Sequence, residues 1–311
     1  MAKYPFMTYV NDLMKRYKAS YADATWNNLF RRYRRMNKDV KRLHKEGKIS
    51  TMSPKKMTVD DVHAYLSYRR SLNLSSKENS HEESALKKLF KFVRNKAFDD
   101  FMIDNPALKA RKKQTRLPPL DDSTYQRILE ISKNLEPNDH RRQRAYCLVL
   151  LCVRSGARTK EIRLAEIDDL DTKNWMFDIV HVKGEDTYGE PRSVPIHPEI
   201  RHVVESYLVL REKRMTDESI ISKALFPSPD SKDGFLAANT LRDIKRIVES
   251  DVGERFDFRK LRRTFGQQLV DSDIDIESVS VAIGHSTTKT TELYYARRKS
   301  EAANAKIRST W

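Results

Sequence analysis

Apolar positions recur at helical spacing in four segments of the first hundred residues, about 5–18, 23–46, 58–71 and 81–98, with Thr58 and Ser80 placed to cap the last two. The pattern predicts a small all-helical domain over residues 1–110. A polar, basic run from Lys109 to Arg116 follows and ends in Leu117-Pro118-Pro119-Leu120. Paired prolines cannot continue a helix, so a linker is placed at 111–119 and a second domain at 120–311. There the pattern is mixed. Asp122 or Ser123 can cap a helix through Leu135. A helix over about 140–154 ends at Gly156, the residue type favoured in a left-handed C-terminal position. Thr159 is placed to cap a short helix carrying Glu161. Residues 174–182 and 192–196 are rich in aromatic and β-branched side chains and predict a β-hairpin with Lys183-Gly184 at its turn. Further helices are expected from Pro198 to about Lys213 and near 238–250, 258–271, 275–283 and 288–297. The fold class is therefore mainly α: an all-helical N-terminal domain and a mixed α+β C-terminal domain, whose helices are interrupted by one small antiparallel hairpin.

Charge changes this picture because it is uneven. The net charge is +16, and residues 1–118 hold 28 Lys and Arg against 12 Asp and Glu, whereas residues 119–311 hold 32 of each. The densest cations are Arg31, Arg32, Arg34, Arg35, Lys38, Lys41 and Arg42, with about one apolar or aromatic residue per turn among them. That suits a helix lying along a phosphate backbone. Arg111, Lys112 and Lys113 in the linker extend the basic surface. A solvated basic face or an anionic membrane surface would share this composition. No apolar run approaches the roughly 20 residues that cross a bilayer, and no secretory signal pattern opens the chain, so a cytoplasmic, DNA-associated protein is expected. Cys147 and Cys152 sit inside the apolar run 146–153, where thiols act as small core hydrophobes; no metal site or cofactor is expected. With 8 glycines and no glycine-rich phosphate loop, a nucleotide-driven machine is not expected either.

The candidate chemistry lies in three motifs. They are Ser155-Gly156-Ala157-Arg158-Thr159-Lys160-Glu161, then Arg259-Lys260-Leu261-Arg262-Arg263, and Ile283-Gly284-His285-Ser286, which is followed nine residues after the histidine by Tyr294. Transesterification of a DNA strand needs a nucleophile, cationic donors around the non-bridging phosphate oxygens, and an acid for the departing 5′-oxygen. A tyrosine suits the first role, because its phosphodiester resembles in energy the one it replaces. A free phenol, with a pKa of about 10, is only on the order of 0.1% ionised at pH 7, so neighbouring cations or a base must activate it.

In residue types and order these motifs resemble the tyrosine recombinase family, the phage-integrase-like and Xer-like DNA strand-exchange enzymes. The resemblance implies that Arg158 and Arg262 clamp the scissile phosphate, that Glu161 orients Arg158 or a neighbouring basic group, and that Lys183 is the general acid. It also implies that His285 donates to the phosphate and that Tyr294, rather than the adjacent Tyr295, is the nucleophile. The family usually has histidine three residues before the second arginine; this chain has Arg259, which can donate to phosphate but cannot shuttle protons near neutrality. The function implied is site-specific recombination or integration without metal or ATP, through a 3′-phosphotyrosyl intermediate and a Holliday junction. Two protein domains would clamp double-stranded DNA at specific recombination sites, four protomers would assemble, and the tail with Ile307 and Trp311 would dock on a neighbouring subunit. A type IB topoisomerase-like relaxing enzyme shares the chemistry, and a catalytically silent DNA-binding regulator is the alternative outside enzymes.

Overall fold

A computed structural model describes residues 5–108, 118–182, 189–229, 231–295, 304 and 307–310, with 294 and 295 described by their backbone. The chain divides into two compact units, Met1–Thr115 and Arg116–Trp311.

Among the described residues the N-terminal unit holds five α-helices: α1 (Pro5–Tyr17), α2 (Asp23–Lys45), α3 (Val59–Ser71), α4 (Ser76–Phe92) and α5 (Ala97–Asp104). Its core follows the helical period, with Phe6, Val10, Leu13 and Met14 buried on α1 and Tyr33, Met36, Val40 and Leu43 on α2. Thr58 caps α3 in a reciprocal box: its hydroxyl accepts from the Asp61 N–H while the Asp61 carboxylate accepts from the Thr58 N–H at 3.0 Å. The fourth expected helix differs. It begins at Ser76 under a Ser75 cap, with Ser80 inside it, and stops at Phe92. Arg94 is left-handed at φ +57°, and the Asn95 side chain donates to the Pro54 and Met57 carbonyls and accepts from the Ala97 N–H. These contacts divert the backbone from the helix.

The C-terminal unit is built around α7 (His140–Ser155), which buries every residue from Ala145 to Val153, a stretch apolar on all sides as the middle of a central helix must be. Cys147 and Cys152 are free thiols inside it. Around α7 stand α6 (Asp122–Lys133), α9 (Pro198–Asp217), α10 (Ala238–Val252) and α11 (Phe258–Asp271), and the unit also holds α8 (Thr159–Leu164), α12 (Ile276–Ile283) and α13 (Thr288–Tyr295). The expected hairpin belongs to a three-stranded antiparallel sheet, β1 (Leu170–Asp171), β2 (Met176–Ile179) and β3 (Arg192–Pro195). Asn174 and Trp175 fall in the β1–β2 turn rather than in a strand, because the Asp171 carboxylate gathers the N–H groups of Lys173 and Asn174. Among the described residues no helix is long and apolar enough to cross a membrane.

Candidate active site

Two glycines shape the site. Gly156 ends α7 at φ +62°, and a Cβ there would lie 2.5 Å from the Phe265 ring of α11. Only glycine tolerates both the left-handed backbone and that approach. It brings the end of α7 against α11, where the Gly156 carbonyl accepts from Arg262 Nη1 at 2.5 Å. Two residues on, Arg158 adopts the extended N-cap conformation of α8, the position expected of Thr159, which instead forms the first helical residue. The Arg158 N–H donates to Glu161 Oε2 at 2.8 Å and its Nη1 to Glu161 Oε1 at 2.6 Å, while Nη2 donates to the Gly284 carbonyl at 2.6 Å.

Glu161 is 3% exposed. Burial works to raise its pKa, but the hydrogen bond and charge of Arg192, with the backbone and charge of Arg158, hold the carboxyl below its ordinary range. Arg192 opens β3 and points inward in register with Val194; its Nη2 donates to Glu161 Oε2 at 2.8 Å and its Nε to the Ala282 carbonyl at 2.9 Å. Gly284, the second glycine, ends α12 at φ +71°, where a Cβ would meet Arg192 Nη1 at 2.8 Å. His285 follows directly, and its Nδ1 lies 2.8 Å from the hydroxyl of Thr291, a fully buried residue of α13. Burial first, then the positive fields of Arg262, Arg158 and Arg192, lower the His285 pKa to about 4, so the imidazole is neutral at pH 7. A cleft of about 620 Å³ opens here, lined by Arg158, Arg192, Gly284, His285, Ser286 and Thr290 among others.

The structure thus brings Arg158, Glu161, Arg262 and His285 together. Tyr294 lies on α13, three residues after Thr291, with its side chain outside the described residues; Lys183, Arg111, Lys112 and Lys113 lie outside them altogether. Arg259 is not drawn into the cluster: its side chain is 71% exposed and donates to the Asp257 carboxylate at 3.0 Å. The basic face of α2 is also reduced. Arg32 and Arg35 point to Glu78 and Glu82 of α4, leaving Arg31, Arg34, Lys38, Lys41 and Arg42 exposed. A larger cleft of about 890 Å³, with Arg242, Arg246, Arg255 and Lys260 among its lining, lies beside α10 and contains none of the clustered residues.

Sequence reasoning missed Arg192. Its signal was present: in the alternating segment Arg192-Ser193-Val194-Pro195-Ile196, arginine shares the inward face with two apolar residues, and an inward charge in a strand requires partners.

The fold is mostly helical with one small antiparallel sheet, as in tyrosine recombinase catalytic domains, and it gathers guanidinium groups, a buried carboxylate and a neutral imidazole beside the helix that carries Tyr294. Residues 119–301 match the model of the phage integrase family, and the chain belongs to that family as a tyrosine-type site-specific recombinase. It is 28% identical over 222 residues to the tyrosine recombinase XerC of Pseudomonas fluorescens (strain Pf0-1), an alignment covering 71% of this chain and 69% of that one. Among solved structures it resembles the XerH site-specific recombinase bound to difH substrate, with a TM-score of 0.66, 20% identity, and coverage of 96% of this chain and 83% of that one. It also resembles the Tn1549 transposon integrase in complex with transposon right end DNA, with a TM-score of 0.65, 15% identity, and coverage of 97% and 98%.

Proposed function

We propose that this recombinase cuts and rejoins double-stranded DNA at specific sites through a 3′-phosphotyrosyl intermediate on Tyr294. The observation that carries the reading is the convergence of Arg158, Arg262 and His285, with His285 bonded to Thr291 on the helix that bears Tyr294. The two guanidiniums hold the non-bridging oxygens of the scissile phosphate. With the Thr291 hydroxyl donating to Nδ1, the tautomer we assign to neutral His285 carries its proton on Nε2 and donates it to the phosphate. Tyr294 loses its phenol proton to solvent and its oxygen bonds to phosphorus; the P–O5′ bond breaks, and Lys183 protonates the departing 5′-oxygen. Attack by a 5′-hydroxyl on the phosphotyrosine reverses these steps without ATP. Repeated on two sites by four protomers, the exchange passes through a Holliday junction.

Double-stranded DNA as partner is supported by the DNA carried in the two related structures and by the exposed cations of α2. The N-terminal unit would grip the backbone through Arg31, Arg34, Lys38, Lys41 and Arg42, and the linker would add Arg111, Lys112 and Lys113. The test is a nicked suicide duplex carrying the recombination site. Wild type and Tyr295→Phe should form a covalent protein–DNA adduct, and Tyr294→Phe should bind the duplex equally and form none. An adduct that survives in Tyr294→Phe and disappears in Tyr295→Phe would move the nucleophile by one residue and refute the assignment.

A further inference from the structure

We propose that Arg192 is a positioning residue for strand cleavage: held between Glu161 and the carbonyl end of α12, it sets the direction of Arg158 and the seat of His285 without touching the scissile phosphate. The proposal rests on the phosphotyrosyl reading above.

Arg192 is 9% exposed, and burying its guanidinium is offset by the Glu161 carboxylate and by the hydrogen bonds of two of its three nitrogens. Each arm meets part of the site. Nη2 takes Glu161 Oε2, Nε takes the Ala282 carbonyl, and Nη1, which has no hydrogen-bond acceptor among the described residues, rests against Gly284. The first contact divides one carboxylate between two arginines. With Oε2 occupied by Arg192 and the Arg158 N–H, the Arg158 side chain meets only Oε1, and its Nη2 remains on the Gly284 carbonyl. Without Arg192, a bidentate pair with Glu161 would be the stronger arrangement for Arg158, and forming it would turn Nη2 inward. The second and third contacts fix the end of α12. The last carbonyls of a helix lack partners within it, and here Arg192 and Arg158 supply donors to Ala282 and Gly284. His285 is the next residue, so its place follows from that tie. The glycine of the Gly284-His285 pair is accounted for as well, since any side chain there would collide with Arg192.

The test is single-turnover cleavage of the suicide duplex by the full-length protein, with duplex affinity and thermal melting measured alongside. Arg192→Met should slow cleavage by roughly 10²-fold, the scale of an ångström-size misplacement, and leave affinity unchanged. Arg192→Lys, which keeps the charge but not the fork, should recover part of the rate; it carries the test if the methionine variant does not melt cooperatively. Because Arg192 acts through Glu161, the double variant Glu161→Gln/Arg192→Met should be no slower than the slower single variant. Wild-type speed in both Arg192 variants, a rate loss matched by lost affinity, or penalties that multiply in the double variant would overturn the role. Failure of the wild type to form any adduct would instead overturn the phosphotyrosyl reading on which it stands.

Discussion

Each unit buries a glutamate among arginines, and the two arrangements differ in what they leave over. In the N-terminal unit Glu82, 1% exposed, is met by Arg32 at 3.0 Å, by Arg69 at 3.5 Å, by Arg35, and by the Tyr65 hydroxyl at 2.6 Å. Two more carboxylates join them: Glu78 pairs with Arg32 and Arg35, and Asp39 with Arg69 at 3.2 Å. Three guanidiniums face three carboxylates, so the network is closed, and it ties α2, α3 and α4 together. In the C-terminal unit Glu161 is the only buried carboxylate among the described residues, and three guanidiniums, Arg158, Arg192 and Arg262, bear on His285 beside it. A balanced cluster pairs its own charges and builds a domain. The other sets three guanidiniums near one carboxylate, with Arg158, Arg192 and His285 lining the cleft, and such an excess of positive charge is complementary to an anion, most of all to a phosphorane gaining charge in the transition state.

Breaking the balanced cluster should give the largest change. Glu82→Gln takes its carboxylate from the buried Arg69 and the partly buried Arg32 and should cost about 3–5 kcal/mol of unfolding free energy, read from denaturant titration of the full chain. An unchanged midpoint would mean that the network is ornamental. A smaller effect sharpens the C-terminal side. His285 titrates near 4 when folded and near an ordinary 6.5 when unfolded, so between those values the unfolded chain binds the extra proton. Stability therefore falls as pH drops from about 6.5 towards 4, and melting of His285→Gln should fall less steeply over that window than wild type. Equal slopes would mean that burial and the neighbouring cations do not depress His285. The smallest effect is expected at Arg259. An exposed pair with Asp257 contributes about 0–1 kcal/mol, so Arg259→Ala should cleave within about fivefold of wild type. A loss comparable to that of a clamping arginine would show that DNA draws Arg259 into the site.

What could be read from sequence, and what could not, divides along the same line. The central helix was legible because the apolar run 146–153 and Gly156 are local signals, and both appear where expected. Arg158, Glu161, Arg262 and His285 were legible through motif order, and the fold brings them into one cluster. The break at Asn95 was not, because its partners Pro54 and Met57 are about forty residues away. The pairing of Arg32 and Arg35 with Glu78 and Glu82 was hidden for the same reason, so cations that read as a free basic stripe are partly internal. β1 has two residues, too few for a period. Arg192 needed the register of β3 and two distant contacts, Glu161 and Ala282, before its place could be seen.

On the proposed reading Arg158 and Arg262 of the unbalanced cluster hold the reacting phosphate, with Arg192 only positioning them, while the balanced cluster holds its own domain together. Single-turnover adduct formation by Arg262→Ala and Glu82→Gln, measured on the same suicide duplex at a temperature where both variants remain folded, tests it directly. Arg262→Ala should lose roughly 10²–10³ in rate, the usual consequence of removing one preorganised transition-state donor, while Glu82→Gln cleaves at the wild-type rate despite its lower stability. An Arg262→Ala variant as fast as wild type, or a folded Glu82→Gln variant that binds DNA and cannot cleave it, would contradict the account.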